Sequence, residues 1–142
     1  MKSAAVSSLF DISGRVALVT GASGGLGRAA SKGLAAAGAR LVLTGRSEDK
    51  LNLLTEEIRR DGGTAEVEPG RPDDPDAAKR IVAETAKRFG GIDILLPMAG
   101  INPYHTAVDI PLDAWEEVMD VNVKGTWLFC QEAGRIMIER GR

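Results

Sequence analysis

The chain has 142 residues, 44% apolar and 27% charged, with a net charge of −2, as expected of one globular domain burying about two-thirds of its unfolded surface. Both signs of charge are interspersed, which argues against nucleic-acid or anionic-membrane partners, and no apolar run nears the ~20 residues of a membrane helix. Cys130 is the only cysteine, so no internal disulfide forms and a reducing, cytoplasmic setting is expected.

Residues 1–14 read as a loose arm ending at Ser13-Gly14, with Ser7, Ser8 and Asp11 interrupting any signal-peptide core. A first strand is expected over 15–20. A helix follows over about 25–37, with Leu26, Ala29, Ala30, Gly33, Leu34 and Ala37 at helical spacing and Gly38 as its stop. The second strand is 39–44. Ser47 is placed to cap a helix whose stripe is Leu51, Leu54 and Ile58, with Glu56 to Asp61 as its wet face. Gly62-Gly63 precedes a third strand at 64–68. Asp74 and Pro75 read as N-cap and first residue of a helix that ends at Gly90-Gly91. Strand four is 92–96. After a loop with Pro103 and Pro111, a long helix runs from about 113 toward 140. Its stripe is Trp115, Val118, Met119, Asn122, Thr126, Phe129, Cys130, Ala133 and Met137, which places Cys130 in the core and makes Trp115 and Trp127 packing residues. Val121 and Leu128 widen the apolar surface beyond that stripe. Strict alternation of strand and helix predicts an α/β fold, a doubly wound parallel sheet of about four strands and four helices.

The segment Thr20-Gly21-Ala22-Ser23-Gly24-Gly25-Leu26-Gly27 stands where the first strand meets the first helix. Gly21 allows a sharp turn off the strand, Gly25 leaves room for a pyrophosphate to approach, and Gly27 allows close helix packing. The free N–H groups and positive dipole end of the helix then face an anion. The end of strand two reads Thr44-Gly45-Arg46-Ser47, with no acid to hold a ribose 2′-hydroxyl. Arg46 suits a 2′-phosphate, favouring NADP with NAD possible, or else it is a solvated residue at a helix start. His105 has no second ligand type at metal spacing, so no metal site is expected.

Three places resemble the classical short-chain dehydrogenase/reductase family: the Thr-Gly-x-x-x-Gly-x-Gly turn at 20–27, Ala99-Gly100, and Asp120-Val121-Asn122-Val123-Lys124-Gly125-Thr126. The resemblance implies one NAD(P)-binding Rossmann domain over 1–142, incomplete relative to the family. It implies cofactor contacts from Gly21, Ser23, Gly25, Leu26, Gly27, Arg46, Ala99 and Gly100. It also makes Asn122 a member of the family's catalytic tetrad, whereas its position on the apolar face alone suits an asparagine satisfied by a backbone carbonyl. The family's catalytic serine and Tyr-x-x-x-Lys are expected beyond residue 142. Tyr104 is the only tyrosine, and Val108 stands four residues on.

Two departures touch the cofactor. Pro97-Met98 replaces the usual Asn-Asn before Ala99-Gly100, removing a strand N–H and an amide that ties strands together. Arg71 stands where the family has an aspartate near the adenine, with Asp73 or Asp74 as the alternative acceptor, restricted by Pro72. The functions implied are an alcohol or carbonyl oxidoreductase, a nucleotide-binding half-Rossmann module without chemistry, or a structural fragment. A homodimer or larger assembly through strand four and the 113–140 helix is expected.

Overall fold

Five consecutive residues of strand character, none of them charged, form β1 (Val16–Thr20), and all five are buried. A strand buried on both faces needs neighbours and helices on both sides. The computed structural model, which describes residues 9–141, supplies them; most of the expected loose arm lies outside those residues. β1 pairs in parallel with β2 (Arg40–Thr44) on one side and β4 (Ile94–Pro97) on the other, and β2 pairs with β3 (Thr64–Val67). The resulting order is β3-β2-β1-β4.

Helices cover both faces. Ala17, Val19, Leu41 and Leu43 pack with Leu51, Leu54 and Ile58 beneath α1 (Gly25–Ala36) and α2 (Glu48–Arg60). Leu18 and Val42 point the other way, against Ala78, Ile81 and Val82 of α3 (Pro75–Phe89) and Leu128, Phe129 and Ala133 of α5 (Gly125–Arg140). Among the described residues no helix is long and apolar enough to cross a membrane.

The α/β alternation and the doubly wound sheet are as expected, and several details differ. β4 starts at Ile94, two residues late, and takes in Pro97, which stands opposite Thr20. Asp74 caps α3 by accepting from Asp76 and Ala77 N–H, whereas Ser47 occupies the N-cap of α2 without a side-chain bond. The buried residues of α1 are Gly27 and Ser31, with Leu34 and Ala35 partly covered. Leu26, Ala29, Gly33 and Ala37 are exposed. The cause is Gly27: a Cβ there would fall inside the Gly21 carbonyl oxygen. That contact sets the rotation of the helix, so positions 27, 31, 34 and 35 face the sheet.

The last helix is interrupted. α4 (Leu112–Met119) has no buried residue, and a π-helical turn over Asp120–Lys124 joins it to α5. The wider turn advances the phase of everything after it. Val121, Gly125, Leu128, Phe129 and Ala133 therefore face inward. Trp115, Met119, Val123 and Trp127 lie on the outer surface, as does Cys130. The expectation of a core Cys130 and packed tryptophans is corrected accordingly, and Val121 and Leu128 are core rather than surplus apolar surface.

Candidate dinucleotide-binding groove

Crossovers leave β1 in opposite directions, to β2 and, through β3, to β4. The carboxyl ends of the strands therefore part at a switch point, the general place for a ligand in an open α/β sheet. A groove of about 260 Å³ runs along those ends.

Its floor is built by backbone contact. Gly21 has φ +61, and a Cβ on it would lie 2.6 Å from the Ala99 Cα and N. Only glycine lets β1 and β4 meet this closely at the turn. Thr20 Oγ1 accepts from the N–H of Met98 at 3.1 Å and of Ala99 at 3.2 Å. These bonds use backbone amides and do not depend on the side chain at 98, where methionine offers no amide of its own. Across the sheet in register, Thr44 Oγ1 is buried and has no hydrogen-bond partner among the described residues.

At the turn, Gly24 is the N-cap of α1, with no side-chain cap bond and no acid in the first turn. The first amides of a helix have no partners within it, so this uncapped end is a place for an anion. A Cβ at Gly25 would meet nothing within 4 Å, which leaves the approach open. Charge agrees. Arg46, Lys50 and Arg71 line the groove, and Asp73 is its one carboxylate. Arg71 holds Asp73 through Nη2 at 2.8 Å and Nε at 3.2 Å. That hydrogen bond keeps the Asp73 carboxyl below the usual range, against burial that raises it. Arg46 and Lys50 make no ion pair with the described residues. Asp74 is occupied as the cap of α3.

Of the sequence-derived residues, Gly21, Ser23, Arg46, Ala99 and Gly100 line the groove together. Gly25 and Leu26, in the first turn of α1, lie outside the lining, Leu26 being 77% exposed, and Gly27 is buried. Asn122 lies in the π turn, outside the lining. Its Nδ2 donates to Ile101 O at 2.9 Å and its Oδ1 accepts from Ile101 N–H at 2.8 Å. This asparagine clamps the loop after β4, and a Cβ on Gly100 would sit 3.4 Å from its Oδ1. Tyr104 is 99% exposed, and no group of metal ligands exists among the described residues. Sequence reading missed Lys50, Gly70 and Ile101 in the lining. Lys50 had a weak signal, being a cation in the first turn of the helix that follows Arg46 and Ser47. Gly70 had none, because its place follows from the bond of its N–H to Gly45 O.

Comparison with known proteins agrees with this geometry. The family model for short chain dehydrogenases matches residues 15–142. A glucose 1-dehydrogenase of Gluconobacter oxydans is 41% identical over 129 residues, covering 90% of this chain and 48% of that enzyme. An L-rhamnose 1-dehydrogenase (NAD(P)(+)) of Azotobacter vinelandii is 37% identical over 132 residues, covering 90% of this chain and 52% of the enzyme. The crystal structure of a short-chain type dehydrogenase/reductase from Mycobacterium marinum superimposes with a TM-score of 0.91 at 36% identity, covering 96% of this chain and 55% of that one. The chain thus spans about half the length of the relatives it matches. Groove, glycine turn and matched sequence agree, and the chain belongs to the short-chain dehydrogenase/reductase family.

Proposed function

We propose that the chain is the NADP-holding portion of an oxidoreductase that moves hydride between the cofactor and a small alcohol or carbonyl compound. The carrying observation is the uncapped N-terminus of α1 at a groove whose three cations outnumber one paired carboxylate. The turn at 21–27 holds the pyrophosphate on backbone amides. Arg46, with Lys50 beside it, holds the 2′-phosphate, and the buried Thr44 hydroxyl is the neighbouring polar group without a bond. Ala99 and Gly100 form the backbone wall on the nicotinamide side, and Asn122 keeps the adjoining loop in place. The bound dinucleotide supplies hydride acceptance from a carbinol carbon as the hydroxyl proton leaves to a base. That base is not among these residues: Tyr104 is the only tyrosine and position 108 is Val108. The same fact favours a second reading for the 142 residues by themselves, a module that binds without turnover. A cytoplasmic setting suits the single cysteine. A second copy covers β4 and the exposed stripe of Leu112, Trp115, Met119, Val123 and Trp127.

Titration with NADP and NAD, beside an oxidation assay on a panel of alcohols, tests the reading. NADP should bind more tightly than NAD, and Arg46→Asp should invert that order. Turnover should stay well below the ordinary enzymatic level of about 1 per second. Failure of both dinucleotides to bind overturns the proposal.

A further inference from the structure

We propose that Arg71 meets the purine at the base end of the groove as a hydrogen-bond donor, so that a 6-oxopurine dinucleotide binds at least as tightly as its adenine counterpart. This rests on the dinucleotide reading above.

The placement follows from the groove. With pyrophosphate at the α1 N-terminus and the ribose at Thr44 to Ser47, the wall that continues away from β4 is Gly70 to Asp73. The base lies against that wall. Arg71 is 60% exposed, and its tether to the wall is Asp73. Its Nε and Nη2 donate to the two oxygens of Asp73 at 3.2 and 2.8 Å, and the Asp73 side chain is only 15% exposed. The loop is seated on the helix behind it: a Cβ on Gly125 would come 2.9 Å from the Pro72 carbonyl oxygen.

Both oxygens of Asp73, the one carboxylate of the wall, are therefore engaged by the guanidinium. Nη1 and the second N–H of Nη2 are left for a ligand, and a guanidinium accepts nothing. Adenine presents an amine at carbon 6, so donor would face donor, and only its ring nitrogens are served. A 6-oxopurine presents O6 and N7 side by side, the pair that an arginine fork matches. Elimination of the acceptor at residue 71 thus transfers base recognition to the opposite kind of edge.

The whole 142-residue chain is titrated by calorimetry with NADP and with nicotinamide hypoxanthine dinucleotide phosphate, its 6-oxo analogue. The hypoxanthine form should bind as tightly as NADP or up to about tenfold more tightly. Arg71→Asp should move the ratio about tenfold toward adenine, and Arg71→Gln, whose amide both donates and accepts, should bring the two level. Circular dichroism reports whether each variant is folded, and the glutamine variant decides if the aspartate variant is not. A wild-type chain that favours NADP by more than about threefold, or a ratio unmoved in the folded variants, overturns the inference while leaving the dinucleotide reading standing. Absence of binding by both compounds removes that reading and this inference together.

Discussion

The two edges of the sheet are finished in opposite ways. β3 carries Glu66, followed by Glu68, and both are held by cations: Arg59 and Arg88 on Glu66, Arg80 and Arg88 on Glu68. Charged side chains lying along an edge discourage another strand from adding to it. β4 has the sequence Ile-Leu-Leu-Pro, every residue half-buried and none charged. Its inner side is tied to β1 by the ladder, by Thr20, and by Asp93, which accepts from Val16 N–H at 2.9 Å. Its outer side has Pro97 alone as a deterrent. A protein protects the edge it means to leave in water. The contrast leaves β4 the less guarded edge, and Ala99 and Gly100, which follow it, line the groove.

The contrast can be broken most forcefully from within, at Gly21. Valine there has its Cβ 2.6 Å from the Ala99 backbone and a branched side chain at positive φ. It should force β4 away from β1 at a cost of about 3 kcal/mol or more and abolish dinucleotide binding. The damage is done by collision with β4 rather than by filling the pyrophosphate path. Urea unfolding and NADP titration read both effects, and unaltered stability would show that the two strand ends are not as tightly joined as described.

A second experiment sets the edges against each other. Leu96→Lys on β4, or Trp127→Glu on α5, should weaken self-association at least about tenfold. Glu66→Ala on β3 should leave the mass unchanged and cost no more than about 1 kcal/mol. Light scattering of the unaltered chain that gave a 15.0 kDa particle at tens of micromolar would remove the comparison's functional meaning. Growth of the mass on removing Glu66 would show that the β3 charges are the stronger control.

The smallest effect concerns the finished side. Hydrogen bonds from Arg28 first, then Lys32, hold the Glu57 carboxyl below its ordinary range, against desolvation, and join α1 to α2. A lowered carboxylate contributes stability above its unfolded value and loses it as pH falls through the folded one. Wild type should therefore exceed Glu57→Gln modestly in urea midpoint at neutral pH, and the two should converge in acid. A difference that persists at low pH would assign the effect to packing.

The sequence disclosed most where a rule is local. The turn at 20–27 was legible because Gly21 must adopt positive φ and Gly27 must abut a carbonyl, both decided within eight residues. The doubly wound parallel sheet followed from the alternation of short apolar runs and helical periods. The rotation of α1 was missed because small residues are nearly equivalent in hydropathy, and one close contact at Gly27 chose among them. The face of the last helix was legible at Phe129 and Ala133 and misread at Cys130 and the tryptophans, because no residue signals a π turn. Val121 is the buried residue of that turn, and beyond it Cys130 lies on the surface. Asn122 was legible both ways: it matches the family's position, and its two bonds to Ile101 are those of a satisfied backbone clamp. Arg71 was visible as a departure from the family's aspartate. Its bidentate hold on Asp73 needed the loop's shape.

The position of β1 at the middle of the sheet has a consequence in time. Its second neighbour is made far later than its first: the bond from Val16 N–H to Asp93 spans 77 residues of chain. At a ribosomal rate of roughly 5–20 residues per second, β1 stands on the order of 4–15 s with one flank unpaired. Once β2 (Arg40–Thr44) is made, it alone pairs with β1 until β4 emerges, and a chaperone that recognises apolar strands has its best opportunity before then. Slow synthesis through residues 60–90 should lengthen the exposure, and closure of the central ladder should await the emergence of β4.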